Sequence, residues 1–420
     1  MAFLNFIKVK LLGGHERSVK AKKNIILLFL IKGYSIAINL ALIPLTLSFL
    51  GEYKYGIWIT LFTFLSMIQI SDIGIGNGLR NKFSEAIAKN DFFTAQQYVS
   101  TGYIIMSVIT LILIVLFIIP WLFIDWSYFF NVEDSLAGDI TFLVGITFIL
   151  TAIQFSLKLI TTLLTASHKP ALSSAIFAIS NTFILLLFIG FKSNINDNIV
   201  AIGIIYSVAP LVILLVSSII FFNSKLKNVR PKLSMFDKEK VKDLFNLGIH
   251  FFVIQIAVLV IFQTDSLIIS HTLSPIEVTP YSIAYTYFGI IPMFASIIMT
   301  PFWSAFTDAH AKDDFIWINS IIIKQIKLLV PASIIIVIML LLANSLIPIW
   351  LGKEIHLSWT LLIGMAIFSI ISIWNNIFSF FLNGISKTKT QVITSIVGLL
   401  LNIPLSIYLA LNIGTGGVII

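Results

Sequence analysis

The stretch Phe83-Ser-Glu-Ala-Ile-Ala-Lys-Asn-Asp-Phe92 occurs twice in this chain, and its second copy is Phe306-Thr-Asp-Ala-His-Ala-Lys-Asp-Asp-Phe315. Nearly every position holds the same residue, or the same class of residue, in both copies. Lys89 corresponds to Lys312, so the copies are about 223 residues apart. A repeat at this distance in a chain of 420 residues indicates two related halves.

The composition is that of an integral membrane protein. Hydrophobic residues make up 58% of the chain and charged residues only 11%, whereas soluble proteins carry about a quarter charged residues. Long apolar runs without alternation predict membrane-crossing helices and exclude a membrane barrel. The absence of cysteine excludes disulfides, thiolate metal sites and cysteine nucleophiles.

Eleven apolar runs are long enough to be spans. They comprise residues 24–49, 55–79, 96–124, 137–157, 170–191, 199–222, 245–270, 279–305, 318–347, 356–385 and 389–411. The odd-numbered gaps between them hold more acid than base, whereas the even-numbered gaps hold clusters of Lys and Arg. The positive-inside rule therefore places the amino terminus and the even gaps in the cytoplasm. This topology also explains the net charge of +8, so a nucleic-acid partner is not expected.

The repeat predicts an all-α polytopic protein of two parallel six-helix lobes, because copies on the same side require an even number of spans per half. A weaker repeat, Leu164-Thr-Ala-Ser-His-Lys169 and Leu382-Asn-Gly-Ile-Ser-Lys387, supports this plan. The predicted segments are a basic cytoplasmic or interfacial amino terminus at 1–23, a lobe at 24–222, a basic linker at 223–243 and a second lobe at 244–420. The last segment is too short for a twelfth span, which we expect to be truncated.

Residues of the first hundred carry a family resemblance. Leu50-Gly-Glu-Tyr-Lys-Tyr-Gly-Ile-Trp58, Asp72-Ile-Gly-Ile-Gly-Asn-Gly-Leu-Arg-Asn81 and the Lys89-Asn-Asp run resemble the Wzx-type O-antigen and polysaccharide repeat-unit flippases. These belong to the multidrug/oligosaccharidyl-lipid/polysaccharide (MOP) exporter superfamily. The second half departs from the pattern, with Leu273-Ser-Pro-Ile-Glu-Val-Thr-Pro-Tyr281 in place of Leu-Gly-Glu-Tyr.

The resemblance implies two six-helix lobes around a central cavity in the bacterial inner membrane. It implies alternating access that moves an undecaprenyl-diphosphate-linked oligosaccharide from the inner to the outer leaflet, without a cofactor. The partners that it implies are this cargo, membrane lipids, H⁺ or Na⁺ as the coupling ion, a polysaccharide polymerase and a chain-length regulator.

Ionisable residues within spans are rare, and each is a functional hypothesis. Lys32 lies about eight residues into the first span, or ~12 Å along a helix. We expect Lys32 and Arg80 to bind the anionic head group, with Asp72 as the counter-ion of Lys32. The alternative is that both cations extend to the membrane surface. Asn77, Asn39 and Asn181 bind cargo or form hydrogen bonds between helices; the second role is the commoner one.

Asp265 is the other notable acid. A carboxylate at this depth is costly unless it is neutralised or binds a cation, and members of the resembling superfamily often carry a cation-sensitive acid in the seventh span. We therefore expect Asp265 and Asn402 to form an ion-coupling site, with an ordinary interhelical hydrogen bond as the alternative.

Gly74, Gly76 and Gly78 superficially suggest a phosphate loop. They lie inside a membrane span and no Walker lysine follows them, so nucleotide binding is excluded. Alternating glycines predict a bend or a close approach of another helix. Within Asp72–Phe93 we accordingly expect cargo contact from Asp72–Arg80 and a structural role for Phe83–Phe92.

Two other functions remain as alternatives. A multidrug or toxin cation antiporter of the same superfamily would need an acidic, aromatic cavity, against which Lys32 and Arg80 argue. A membrane polysaccharide polymerase or glycosyltransferase would need a large outer loop with catalytic residues, but the longest outer gap is short. The sequence predicts a transporter and not an enzyme.

Overall fold

The computed structural model describes residues 16–70, 75–167, 169–191, 197–245, 264–311, 313–385 and 389–419. All regular secondary structure in these ranges is helical. The α-helices are α1 Glu16–Ile70, α2 Ile75–Ala88, α3 Phe92–Phe123, α4 Trp126–Phe130, α5 Ala137–Leu157, α6 Leu159–Ala166, α7 Pro170–Gly190, α8 Ile199–Phe222, α9 Asp265–Thr272, α10 Pro275–Ala311, α11 Phe315–Leu351, α12 Trp359–Gly384, α13 Lys389–Ile413 and α14 Thr415–Val418.

Nine helices in the described residues are long and apolar enough to cross a membrane. One of them, Leu27–Ser66, covers the first two predicted spans, and the other eight each match one further span. The predicted seventh span lies largely in 246–263, outside the described residues. Length and hydropathy thus identify the same segments in the sequence and in the fold.

The first two spans are separated by a break at Gly51 within α1. Gly51 has φ 68° and ψ 176°, which is not helical. This backbone region is populated almost only by glycine, because a Cβ would be strained there. The break coincides with the short polar gap that the sequence predicts between the spans.

The duplicated stretch has the same backbone conformation in both copies. Asn90 and Asp313 both have a left-handed φ, 58° and 55°. In each copy the following aspartate, Asp91 or Asp314, accepts a hydrogen bond of 3.0 Å from the backbone N–H three residues later. An aspartate in this position caps the helix that follows. The two copies therefore form the same turn, which supports the interpretation of the repeat as a duplication within the gene.

The weaker repeat also aligns in the fold. α6 ends at Ala166 and α12 ends at Gly384, which are 218 positions apart. The capping residues Ser167 and Ile385 donate backbone hydrogen bonds of 2.9 and 3.0 Å to carbonyls four residues earlier. Two helix ends therefore occur at the offset that the sequence indicated.

The contacts divide the chain into two compact units. Unit 1 comprises Met1–Phe49, Ser71–Ile124 and Gly138–Phe252, and unit 2 comprises Leu50–Ile70, Asp125–Ala137 and Val253–Ile420. Unit 2 thus includes two segments of the first half, 50–70 and 125–137, because they pack on helices of the second half. The lobe boundaries at 24–222 and 244–420 remain a prediction.

Within unit 1 the even-numbered gaps meet one another. Ser84 Oγ, at the end of α2, donates a hydrogen bond of 3.0 Å to the carbonyl of Ala166, at the end of α6. Gly78 lies against the sixth gap, just after the linker, since a Cβ at this position would be 2.6 Å from the carbonyl oxygen of Leu244. The expected close approach at these glycines is therefore confirmed at Gly78. Even gaps at a common end agree with the predicted alternation of spans.

Candidate functional site

A pair of amides joins α1 to α7 in unit 1. Asn181 Nδ2 donates a hydrogen bond of 3.0 Å to Asn39 Oδ1. Beside Asn181 along α7, the hydroxyl of Thr182 is 2.9 Å from the hydroxyl of Tyr34. Asn39 and Tyr34 are both exposed. The sequence analysis singled out the two asparagines, and the structure brings them together. The sequence analysis did not single out Tyr34 or Thr182.

Lys32 lies on the same face of α1 as Asn39, because seven residues correspond to two helical turns. Its side chain is half-buried. The predicted counter-ion Asp72 lies outside the described residues, and within the ranges that are described Lys32 forms no ion pair. This face of α1 therefore combines a cation with an amide pair, and Tyr34, two residues after Lys32, lies on another side of the helix.

Arg80 lies on α2, directly after the buried residues Gly78 and Leu79, and is itself exposed. α2 packs on α3 and α6. No described contact joins Arg80 to Lys32, so their joint role remains a prediction. The side chain of Asn77 is outside the described part of the chain.

Asp265 begins α9 in unit 2 and is buried, with 8% of its surface exposed. Tyr281 Oη, on α10, donates a hydrogen bond of 2.5 Å to Asp265 Oδ2. The second carboxylate oxygen, Oδ1, is buried and has no hydrogen-bond partner among the described residues. A buried oxygen of this kind can accept a proton or contribute to binding a cation. Tyr281 was missed because nothing in the sequence indicates the register of α9 on α10.

Asn402, the predicted companion of Asp265, lies beside the same helix end. Thr264 precedes Asp265, and its Oγ1 is 3.4 Å from Asn402 Oδ1 on α13. The two predicted residues are thus brought to neighbouring positions without contacting each other. Carboxylate and amide oxygens are the ligand types that hard cations prefer.

A further cluster joins odd-numbered gaps within unit 2, and the sequence did not predict it. Lys353 Nζ is 3.4 Å from Glu52 Oε1. The carbonyl oxygen of Glu52 accepts a hydrogen bond of 2.6 Å from Thr279 Oγ1. Gly56 packs closely on Pro275, since a Cβ at Gly56 would be 1.8 Å from its carbonyl oxygen.

Further contacts join the third gap to the end of the seventh span. Asn131 Nδ2 donates a hydrogen bond of 2.9 Å to the carbonyl of Ser270. Ser270 Oγ in turn donates one of 2.8 Å to the carbonyl of Phe130. We call these contacts, from Glu52–Lys353 to Phe130–Ser270, the odd-gap network. It attaches both first-half segments of unit 2 to second-half helices.

The comparisons with known proteins agree with this architecture. A family model described as "Polysaccharide biosynthesis protein" matches residues 21–306, and the MatE model matches residues 251–408. The chain is 24% identical over 368 residues to the "Putative O-antigen export protein" of Yersinia pseudotuberculosis, with 84% of this chain and 81% of that protein covered. It is 23% identical to the "Putative O-antigen transporter" of Salmonella typhimurium, covering 68% of this chain and 65% of that protein.

A solved structure shares the fold. The inward-facing conformation of a multidrug resistance MATE family transporter of the MOP superfamily superimposes with a TM-score of 0.74 at 15% identity, over 91% of this chain and 89% of that one. This likeness confirms the predicted fold class of two helical lobes. The family match spans more than half of the chain. The chain therefore belongs to the polysaccharide biosynthesis protein family, as a multi-pass membrane transporter.

Proposed function

We propose that the protein flips an undecaprenyl-diphosphate-linked oligosaccharide, such as an O-antigen repeat unit, from the inner to the outer leaflet of the bacterial inner membrane. The observation that carries the proposal is the polysaccharide biosynthesis match over residues 21–306 in a chain with a MATE-type fold. The names of the Yersinia and Salmonella relatives point to the same cargo. In this proposal the amino terminus is cytoplasmic, and a polymerase and a chain-length regulator act on the delivered cargo.

The face formed by α1 and α7 suits the polar end of such a cargo. Lys32 supplies a positive charge for the diphosphate, and charge-assisted hydrogen bonds to phosphate are the strong ones. The Asn39–Asn181 pair and Tyr34 supply donors, acceptors and a ring for sugars. An exposed amide pair at this depth would be costly against lipid, which favours a water-filled path along this face.

The charge of unit 1 favours an anionic cargo over a cationic drug. Within the described membrane helices of unit 1, carboxylates occur only near helix ends, as at Glu85 and Asp139. A multidrug cation antiporter, the alternative, would need acids in the middle of these helices. Lys32 points to the opposite polarity.

Ion coupling is proposed for Asp265 with Asn402. The support is the buried, unpartnered Oδ1 of Asp265 and the Asn402 amide, whose Oδ1 lies 3.4 Å from Oγ1 of Thr264, the residue before Asp265. Binding of H⁺ or Na⁺ would neutralise a carboxylate that is otherwise costly to bury. Release of the ion would then favour the other state of the transporter.

Alternating access requires that the odd-gap network open, because the cargo must leave on the side of the odd gaps. The absence of cysteine makes this testable with an introduced pair. Glu52→Cys with Thr279→Cys joins two residues whose native contact is a 2.6 Å hydrogen bond. We expect oxidation to stop transport and reductant to restore it, while each single variant remains active under oxidation. Full transport by the cross-linked protein would contradict a moving network.

The test of the function is deletion of the gene in its bacterium. We expect loss of surface polysaccharide and accumulation of the lipid-linked oligosaccharide in the inner leaflet. Lys32→Ala should complement 10- to 150-fold less well, since a hydrogen bond to a charged group contributes about 1.5–3 kcal/mol. Lys32→Arg should retain most activity, and Lys327→Ala, an exposed lysine of α11, is the matched control. Normal surface polysaccharide in the deletion strain would refute the proposal.

A further inference from the structure

The basic linker between α8 and the second half is folded onto α3. Gln96 Nε2 donates a hydrogen bond of 2.7 Å to the carbonyl of Arg230. Ser100 Oγ accepts one of 3.1 Å from the backbone N–H of Lys232. Thr101 Oγ1 accepts another of 3.1 Å from the backbone N–H of Asp237. Three successive contacts along one helix fix the path of the linker.

Side chains of the linker strengthen this attachment. Tyr98 Oη donates a hydrogen bond of 2.8 Å to Asp243 Oδ2, and Lys240 Nζ lies 5.2 Å from the centre of the same ring. Leu226 and Val229 are buried in the hydrophobic core of unit 1. The linker is therefore a structured platform and not a loose tether.

This platform exposes apolar side chains that packing does not explain. Leu233 is 83% exposed and Phe236 is 41% exposed. Both lie in the segment that runs along the second and third turns of α3, where the predicted span of this helix begins. Apolar side chains at the level where a span begins are positioned to enter the interfacial region of the bilayer.

The charges that the platform exposes are mainly positive. Six basic residues are exposed, namely Lys225, Lys227, Arg230, Lys232, Lys238 and Lys242. Of the three acids, Asp237 accepts a hydrogen bond from Gln97 and Asp243 accepts one from Tyr98, so α3 engages both. Only Glu239 remains exposed to oppose the cations.

We propose that residues 225–242 bind the head groups of anionic phospholipids, with Leu233 and Phe236 inserted between them. Basic residues beside a membrane helix attract anionic lipids, and adjacent apolar side chains add interfacial binding. A nucleic acid or an acidic protein would match the charge but not the exposed leucine at the level of the membrane surface. This surface is separate from the cargo face of α1 and α7, so the proposal does not depend on the cargo.

The insertion is tested with the full-length protein in lipid nanodiscs. Leu233→Cys gives a single labelling site in a chain without cysteine, and it is labelled with an environment-sensitive fluorophore. In discs with phosphatidylglycerol we expect a blue-shifted emission and protection from the neutral quencher acrylamide, beyond that in phosphatidylcholine discs. Glu354→Cys, an exposed position in an odd gap, should respond equally in both lipids.

The charge requirement is tested by Lys225→Gln, Lys227→Gln and Lys232→Gln combined. Retention of phosphatidylglycerol, measured by native mass spectrometry, should weaken roughly fivefold for each lysine removed. The corresponding Lys→Arg variant should retain the lipid and provides the control for folding.

Two outcomes would overturn the proposal. One is a label at position 233 that is equally accessible to acrylamide with and without phosphatidylglycerol. The other is a label that is accessible in every nanodisc but protected in native membranes, because this would identify a protein as the occupant.

Discussion

Replacement of Gly56 by alanine should separate two segments that the fold packs together. A Cβ at Gly56 would lie 1.8 Å from the carbonyl oxygen of Pro275, whereas real Cβ atoms essentially never come within 3.0 Å of such an atom. The backbones must therefore move apart by at least about 1.2 Å. The obstacle is backbone, so no side-chain rotation can relieve it.

The displacement has a cost that follows from the neighbouring contacts. The hydrogen bond from Thr279 to the carbonyl of Glu52 would lengthen from 2.6 Å to a separation at which it is lost. This loss costs about 1 kcal/mol, and overpacking adds about 1–3 kcal/mol. Alanine regains up to about 1 kcal/mol of helix propensity. We expect a net destabilisation of about 1–3 kcal/mol.

Gly33→Ala is the matched control, because Gly33 lies in the helical part of α1 before the break at Gly51, and a Cβ there would meet no atom within 4 Å. The assay is thermal unfolding in detergent, combined with the oxidation of the Glu52→Cys, Thr279→Cys pair. Gly56→Ala should lower the apparent Tm by several degrees and slow disulfide formation, while Gly33→Ala should do neither. If both glycine variants behave alike, the close packing inferred here is wrong.

Three further predictions concern the ion site, the repeat and the helix cap. Asp265→Asn should abolish the response of transport to an imposed H⁺ or Na⁺ gradient in proteoliposomes, whereas Tyr281→Phe, which keeps the carboxylate, should slow transport but retain that response; a gradient response that survives Asp265→Asn would exclude coupling at this residue. Phe83→Ala and Phe306→Ala should each destabilise the protein by about 3–5 kcal/mol, since both rings are fully buried. Expression and apparent Tm should fall by similar amounts in the two variants, and Phe93→Ala, at an exposed position, should be neutral. Loss of stability at only one of the two positions would contradict equivalent roles. The backbone N–H of Thr94 holds the pKa of the Asp91 carboxyl below its usual range, so its stabilisation is complete above the unfolded pKa of about 3.9 and is lost as the pH falls through the folded pKa. Asp91→Asn, which still caps the helix, should match the wild type at pH 7 and lose less stability in acid; identical pH profiles would argue against this cap.

Local features were the ones that the sequence predicted well. The duplicated stretch was recognisable in the sequence, and the turn that it forms before α3 has a local cause, because Asn90 tolerates a left-handed φ and Asp91 caps a helix. The spans were recognisable because crossing a bilayer demands long apolar runs. The same conformational preferences act in the second copy, so the repeat is visible both in the amino-acid sequence and in the backbone conformation.

Contacts between distant segments were not predictable in the same way. Asp265 stands out as an acid within a span, but its bond to Tyr281 depends on how α9 and α10 are aligned. Likewise, the sequence identified the Leu50–Trp58 stretch as a family resemblance without revealing its contacts. Residues 50–70 belong to unit 2 because of their tertiary contacts, and hydropathy along the sequence carries no information on such contacts.

The departure of the second half from the Leu-Gly-Glu-Tyr pattern acquires a physical explanation from these contacts. At the repeat offset of about 223, Glu52 corresponds to Pro275 and Gly56 corresponds to Thr279. Gly56 packs on Pro275, the counterpart of Glu52, and Thr279, the counterpart of Gly56, bonds to Glu52. The two contacts therefore join equivalent positions in reciprocal order. Reciprocal contacts of this kind are what a two-fold relation between equivalent segments produces.

A two-fold contact between unlike sequences can use complementary residues on its two sides. With no Cβ at Gly56, the backbone of Pro275 can approach to a distance that two side chains would forbid. The larger Thr279 then fills the opposite side and supplies the hydroxyl that binds the Glu52 carbonyl. The two stretches therefore differ because they are partners in one interface as well as copies of one ancestor. A second copy of Leu50–Trp58 at Leu273–Tyr281 would place glycine at position 279 and remove the hydroxyl that binds the Glu52 carbonyl.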